Sequence, residues 1–332
     1  MRRVELIPAK ESNQIDLWNT KEERVINDEL NRTVKSFRKL LLKFDTAKIE
    51  EEGSFFQLKN DILQVANLLI RVTNQHRLPI DLTPIHEKML IHSIVEDLEI
   101  SSYSASLTPD ETGFVLKIEK TSNEVRDRAI IAHEIGHTLF YDVSKLPPSR
   151  ILRYRPRKVD KDKEEWVSWD FARELLLPRL FLLRQFAFKY PLHPSKIVDI
   201  ARKTGVSVEL LCHRLILDLG LWNNCAFFVS DVSNGRLRTD SVKVYRTSNF
   251  PRFFIKGKKG LVNENQKISE MVGTIVGSRK RYDHGFIKFQ GFNLWVKMLR
   301  YFNDPQRVLC LLEIPFANLP FNVLPKRDIR NQ

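Results

Sequence analysis

Residues 129–140 read Ala-Ile-Ile-Ala-His-Glu-Ile-Gly-His-Thr-Leu-Phe, two histidines four positions apart with a glutamate beside the first, inside an apolar run. On an α-helix, positions i and i+4 are neighbours on one face. His133 and His137 are therefore placed to offer two imidazole nitrogens to one ion at about 2.0–2.1 Å, the zinc–nitrogen distance. Glu134 lies about 100° round the helix from His133. That position suits a base for an activated water rather than a ligand, the arrangement of a HExxH metallopeptidase helix.

A hydrolytic zinc site needs a third protein ligand and an open fourth position. The acidic residues that follow are Asp142, Asp160, Asp162, Glu164, Glu165 and Asp170. Context favours Glu165, with Glu164 next. Glu165 opens a helical pattern continued on the same face by Trp169, Ala172 and Leu176, and Ala172 would let that helix approach the histidine helix closely. Gly136 would serve the same purpose from the other side, at a propensity cost of about 1 kcal/mol relative to Ala.

Working outward, Thr121-Ser-Asn-Glu124 has the form of a capping box that starts the histidine helix, and Pro147 and Pro148 follow its end. Upstream, Phe114 to Ile118 reads as a strand after the turn residues Thr108 to Gly113, and a helix is expected over about Pro84 to Leu98. Phe114 to Ile118 is also the expected edge against which an extended peptide would align by strand addition. Nearer the N-terminus, Thr20-Lys-Glu-Glu23 resembles a capping box. Leu30, Val34, Phe37, Leu41 and Phe44 then form one apolar stripe and Leu58, Ile62, Val65 and Leu69 a second, which together predict a helical hairpin. Downstream, eight Lys or Arg between Lys145 and Lys163 mark a basic loop. A helix over about Glu164 to Leu177 stops at Pro178. Ser195 to Leu219 reads as two short helices around Gly205, a helix-turn-helix-like pattern in which Val206, Leu210, Leu211 and Leu215 favour a buttressing role over DNA reading.

After Gly220 the pattern turns to short β-like runs at Ala226 to Ser230, Arg252 to Lys256, Phe286 to Phe289 and Val308 to Glu313. Of the formal charge of +13, residues 226–332 carry +11, from 19 Lys or Arg against 8 Asp or Glu. Aromatics alternate with cations at Phe250 to Lys259 and around Arg279-Lys-Arg-Tyr282. Such a surface fits an anionic partner, single-stranded nucleic acid above all. The 332 residues, 42% apolar and 29% charged, exclude wholesale disorder and give room for two or three domains. Three scattered cysteines, Cys212, Cys225 and Cys310, with no CxxC, argue against a disulfide framework or a thiolate zinc site. No secretory leader and no membrane-length apolar run is found, so a soluble cytoplasmic protein is expected.

The ordered set of motifs resembles the ImmA/IrrE zinc metallopeptidases: Arg128-Ala-Ile-Ile-Ala-His-Glu-Ile-Gly-His137, then Glu165 followed by Phe171-Ala-Arg-Glu-Leu-Leu-Leu-Pro178, then Ala201 to Ser207 before Arg214-Leu215. The resemblance spans about residues 78–222. It implies His133, His137 and Glu165 as zinc ligands with Glu134 as general base. Ser168 stands where the family usually has Ala, and Trp169 where it usually has Asn. An Asn there would support the ligands from behind, and Asp170 is a candidate substitute.

The implied fold class is α+β. It comprises N-terminal helices (1–77), a zincin-like peptidase domain (78–222) that includes the helix-turn-helix-like segment 195–219, and a basic, β-rich, GAF-like domain (223–332). The implied activity is limited proteolysis of a helix-turn-helix repressor in response to stress, DNA damage or mobile elements, gated by the C-terminal domain. Tyr141, Arg153 and Tyr154 are candidates for stabilising an oxyanion. The competing reading is a non-catalytic DNA-binding regulator.

Overall fold

A computed structural model describes residues 15–43, 52–75, 77–96, 105–119, 121–151, 158–186, 193–220, 225–233, 236–237, 243–246, 270–271, 274–275, 282–289, 292–303 and 306–313. The chain divides into two compact units, Met1–Pro178 and Arg179–Gln332. Phe44, Arg153, Tyr154, Phe250 to Lys259 and Arg279 to Arg281 lie outside the described residues, as do the side chains of Asp160 and Asp162.

The first unit opens with two helices, α1 (Ile15–Lys43) and α2 (Glu52–Val72), which pack against each other. Leu30 and Phe37 from one stripe and Leu58, Ile62, Val65 and Leu69 from the other are buried, Val34 is half-buried and the side chain of Leu41 lies outside the described residues, so the expected hairpin is present. Each such side chain contributes about 1.5–3 kcal/mol by leaving water. The start differs from expectation. Helix α1 begins at Ile15, so Thr20 lies inside it rather than at its cap.

The expected helix over Pro84 to Leu98 is two elements, the short helix α3 (Thr83–Lys88) and the strand β1 (Ile91–Glu96). Leu90, in left-handed backbone at φ 63°, ends the helix and turns the chain. The β-branched pair Ile94-Val95 then suits a strand. Strand β2 (Ala105–Asp110) takes in residues expected to be a turn, and the turn itself shrinks to Glu111-Thr112 before β3 (Gly113–Ile118). The sheet order is β1-β3-β2, with β1 parallel and β2 antiparallel to β3. Phe114 to Ile118 is therefore the central strand, not an edge. Phe114, Leu116 and Ile118, alternate residues on one face of this strand, are all buried. Gly113 is required where it stands: its φ is +148°, and a Cβ there would collide with the Leu90 carbonyl, which accepts from the Phe114 amide at 2.8 Å.

Helix α4 (Glu124–His137) carries the histidines. Its cap is Asn123, whose side chain accepts from the Arg126 amide at 3.2 Å, and not Thr121 as expected. The Thr121 hydroxyl bonds instead to Asp127 at 2.9 Å. A 3-10 turn (Thr138–Phe140) leads into a two-stranded ladder, β4 (Tyr141–Asp142) with β5 (Ser149–Arg150). Helix α5 (Lys158–Leu176) begins six residues before its expected start, so the end of the basic stretch is helical. It packs on both α4 and α2. The Asn67 amide links α2 to α5 through Glu174 at 3.0 Å.

In the second unit, helices α6 (Arg179–Phe186), α7 (Pro194–Thr204) and α8 (Val208–His213) precede a π-helical turn at Arg214–Asp218. Gly205, in left-handed backbone at φ 63°, closes α7, and Ser207 caps α8 through the Leu210 amide at 3.0 Å. Val208, Leu211, Cys212, Leu215 and Ile216 are buried. Among the described residues six strands follow: β6 (Cys225–Ser233), β7 (Arg236–Leu237), β8 (Lys243–Arg246), β9 (Tyr282–Phe289), β10 (Phe292–Asn303) and β11 (Gln306–Glu313). The ladder runs β7-β6-β11-β10-β9, with β8 also on β6, all antiparallel. Arg307 on β11 reaches Glu209 on α8 at 2.9 Å and Asp231 on β6 at 3.0 Å, which ties α8 to the sheet. No helix among the described residues is long and apolar enough to cross a membrane.

Candidate metal centre

Helices α4 and α5 approach closely because neither has bulk at the crossing. A Cβ on Gly136 would lie 3.1 Å from both Cα and O of Ser168 and 3.2 Å from a ring carbon of Phe171. The small residue facing Gly136 is therefore Ser168, not the expected Ala172. This contact sets the register between the helix that bears the histidines and the helix that bears the glutamates.

Across it, His133, His137 and Glu165 converge, with one ligand atom from each lying within 4.8 Å of the others. The Nε2 atoms of His133 and His137 are 3.0 Å apart. Glu165 Oε2 is 3.1 Å from His133 Nε2 and Glu165 Oε1 is 3.7 Å from His137 Nε2. Zinc–nitrogen bonds of 2.0–2.1 Å at tetrahedral angles put ligand atoms about 3.3–3.4 Å apart, so this donor set fits one tetrahedral ion.

Consecutive glutamates take different places. The Glu165 side chain is 42% exposed and faces the histidine nitrogens, whereas that of Glu164 is 2% exposed and turned behind them. Glu164 Oε1 accepts from His137 Nδ1 at 2.7 Å and from Arg150 at 2.8 Å. With the Nδ1 proton committed to Glu164, His137 presents Nε2 as a lone pair. Arg150 also donates from Nε to the Tyr141 hydroxyl at 3.1 Å and lies over the Tyr141 ring. Sequence reasoning named Tyr141 only as an oxyanion candidate and missed Arg150. The adjacency of Glu164 and Glu165, two carboxylates about 100° apart on one helix, was the signal for a divided role.

His133 has no such support, since among the described residues its buried Nδ1 finds no hydrogen-bond partner. Its ring instead stacks on Trp169, with centroids 4.2 Å apart and planes 29° from parallel. Asp170, the expected substitute for the missing Asn, is engaged by Arg173 and by Lys59 at 3.4 Å, on the α2 side of the helix. Of the other sequence candidates, Asp142 accepts from the Ser144 amide at 2.9 Å and is not among the converging groups.

Burial and neighbouring carboxylates compete in the titration of these groups. It pushes the Glu134 carboxyl above its usual range, against the pull of His137 and with the repulsion of Glu165 and Glu164. It lowers His133, although the hydrogen bond to Glu165 opposes it. At His137 burial also acts downward, but the Glu164 hydrogen bond and three neighbouring carboxylates outweigh it, and the value is raised.

The family model for the IrrE N-terminal-like domain, peptidase M78, matches residues 87–216, from α3 through α8 into the π-helical turn. No curated protein matches the chain.

Proposed function

From the premise that this chain belongs to the ImmA/IrrE peptidase family through the IrrE N-terminal-like domain at residues 87–216, we propose that its metallopeptidase-type site uses His133, His137 and Glu165 as zinc ligands and Glu134 as general base. The observation that carries this reading is the convergence of the three donor atoms within 4.8 Å beside a buried, proton-avid Glu134. When bound, zinc supplies Lewis acidity, which polarises a carbonyl and acidifies water. Glu134 takes the proton from the attacking water and returns it to the leaving amine, and its raised proton affinity suits both steps. Glu164 and Arg150 hold His137 in the tautomer that leaves Nε2 free. An extended substrate would add to the edge strand β2, which packs beside α4, and Pro109 within β2 is compatible only with an edge.

The proposed substrate is a helix-turn-helix repressor, cut once to release a stress-response operon in the cytoplasm. The test is incubation of the zinc-loaded chain with the helix-turn-helix protein from the adjacent reading frame, read by mass spectrometry. Wild type should yield two fragments and Glu134→Gln none while keeping its zinc. Equal cleavage by Glu134→Gln would refute the assignment of the base.

The C-terminal unit is proposed as a GAF-like sensor that binds single-stranded nucleic acid and gates the peptidase. On β9, Tyr282 and His284 stack with centroids 5.4 Å apart, and Phe286, 55% exposed, lies 4.2 Å from Trp295. These rings, within a region of net charge +11, offer both base stacking and phosphate neutralisation. Fluorescence anisotropy with a labelled oligothymidylate should give binding that weakens as salt rises and is reduced by Phe286→Ala; absence of binding would exclude the partner. For the alternative of a DNA-reading helix-turn-helix, the burial of Val208, Leu211, Cys212 and Leu215 favours buttressing instead. A mobility-shift assay of wild type against Lys203→Ala on duplex DNA separates the two roles.

A further inference from the structure

A metal-ligating histidine ordinarily donates its second ring N–H to a carboxylate, carbonyl or water, which fixes both the tautomer and the plane of the ring. His137 follows this rule through Glu164, and His133 does not: its Nδ1 is buried and finds no acceptor among the described residues. Without a restraint the His133 ring would be free to rotate about its Cβ–Cγ bond, and Nε2 would sweep away from His137 and Glu165.

The restraint present is the Trp169 indole, face to face with the imidazole at 4.2 Å and 29°. We propose that Trp169 is a positioning residue for the metal site, acting as an aromatic clamp that replaces the missing hydrogen bond and holds His133 Nε2 in the ligating direction. The inference rests on the reading of His133 as a ligand. Rotation of the imidazole out of the stack forfeits ring contact on its whole face, whereas the aligned ring keeps it. The clamp also responds to loading. An imidazole whose Nε2 binds a cation becomes electron-poor, and the electron-rich face of an indole attracts it more strongly than it attracts the neutral ring. Trp169 is therefore expected to favour the loaded over the empty site as well as to aim the ligand. The clamp is rigid because its two halves sit on helices whose separation is fixed by the Gly136–Ser168 contact, one residue before Trp169.

The test uses the full-length chain and three variants, Trp169→Phe, Trp169→Leu and Trp169→Ala, with zinc affinity measured by chelator competition and Co²⁺ binding followed by its visible absorption bands. Circular dichroism melting of the zinc-free proteins monitors the fold. Trp169→Phe keeps a ring face and should bind zinc within about threefold of wild type, whereas Trp169→Leu and Trp169→Ala should lose about 10- to 100-fold, the usual cost of removing support behind a ligand. The Co²⁺ bands should shift or broaden in Trp169→Leu and Trp169→Ala but not in Trp169→Phe, a change that loss of fold stability alone would not give. Wild-type affinity and spectrum in Trp169→Leu would overturn the inference, as would a Phe variant as weak as Leu. Failure of the underlying ligand reading is separately visible: His133→Ala would then retain stoichiometric zinc. If Trp169→Leu and Trp169→Ala do not fold, Trp169→Phe with perturbed Co²⁺ bands overturns the clamp, and Trp169→Phe with wild-type bands and affinity supports it.

Discussion

Replacing Gly136 by Ala sets two effects of opposite sign against each other at the point where α4 meets α5. Helix propensity favours the substitution by about 1 kcal/mol. The added methyl, however, meets Cα and O of Ser168 at 3.1 Å and a Phe171 ring carbon at 3.2 Å, and two of these three atoms are backbone. Backbone cannot swing aside as a flexible side chain can, so the helices must part by a few tenths of an ångström. Overpacking of this kind costs about 1–3 kcal/mol. The balance is a net loss of about 0–2 kcal/mol, small enough for the zinc-free chain to fold. The effect on the centre is larger in proportion. His133 and His137 ride on one helix and Glu165 on the other, with donor separations of 3.0–3.7 Å. A shift of a few tenths of an ångström strains one bond of the set, and zinc affinity should fall by about 10-fold, comparable to the loss of a supporting hydrogen bond. Chelator competition gives the affinity, and thermal melting of the zinc-free protein gives the stability. A variant stabilised by about 1 kcal/mol with unchanged zinc affinity would refute the reasoning, because propensity alone would then decide the outcome.

Removing the charge behind His137, by Glu164→Gln, should weaken zinc about 10- to 100-fold in the same competition assay, without removing a ligand. Zinc affinity should also fall on acidification. Against burial, which acts downward, the Glu164 hydrogen bond and the neighbouring carboxylates raise His137 above the ordinary histidine value, so protons compete for Nε2 more strongly than at a free imidazole and zinc affinity should drop as pH falls. In the C-terminal sheet, Lys297 and Glu313 are buried together at 3.1 Å, so Lys297→Met should destabilise that unit by about 3–5 kcal/mol in denaturant unfolding, with Lys297→Met/Glu313→Leu recovering most of the loss. Burial holds the Glu313 carboxyl above its usual range, against Lys297. The unfolded chain ionises it first, and the single variant should lose stability as pH rises from the ordinary carboxylate value through the folded one. Finally, Cys212, Cys225 and Cys310 are buried with thiols pushed above their ordinary range by desolvation, so a thiol reagent should label none of them until the protein unfolds.

What could be read in the sequence was whatever is local. The helical hairpin, the histidine helix with its i, i+4 pair, and the break at Gly205 all have a cause within a few residues, and each is present, although the helix starts and caps differ from expectation. What misled was register and partnership. Ile91 to Glu96 continues an apolar pattern that a helix would also satisfy, and only the parallel partner β3 makes it a strand. Phe114 to Ile118 has the look of any short strand, and its central place comes from β2, whose Thr108-Pro-Asp segment imitates a turn. At the site, the divided roles of Glu164 and Glu165 depend on the roll of α5 about its axis, which the Gly136–Ser168 crossing fixes from a distance of more than 30 residues. Likewise Trp169 gained its place against His133 only once that roll was known.

That crossing has a consequence for how the chain tolerates insertions and deletions. Ser168 is the fixed point of α5, and Glu165 and Glu164 lie three and four residues, about one turn, before it. An added or lost residue between Glu165 and Ser168 would roll both carboxylates by about 100°, facing one away from His137 and the other away from the ligand nitrogens together. A residue added among the exposed positions Ser144 to Pro147, ahead of β5, leaves that roll untouched and only lengthens the connection between strands. Length variation among relatives should therefore gather before Arg150 and vanish between Glu164 and Ser168, a one-turn interval in which the spacing of the chain, more than its composition, carries the information for the site.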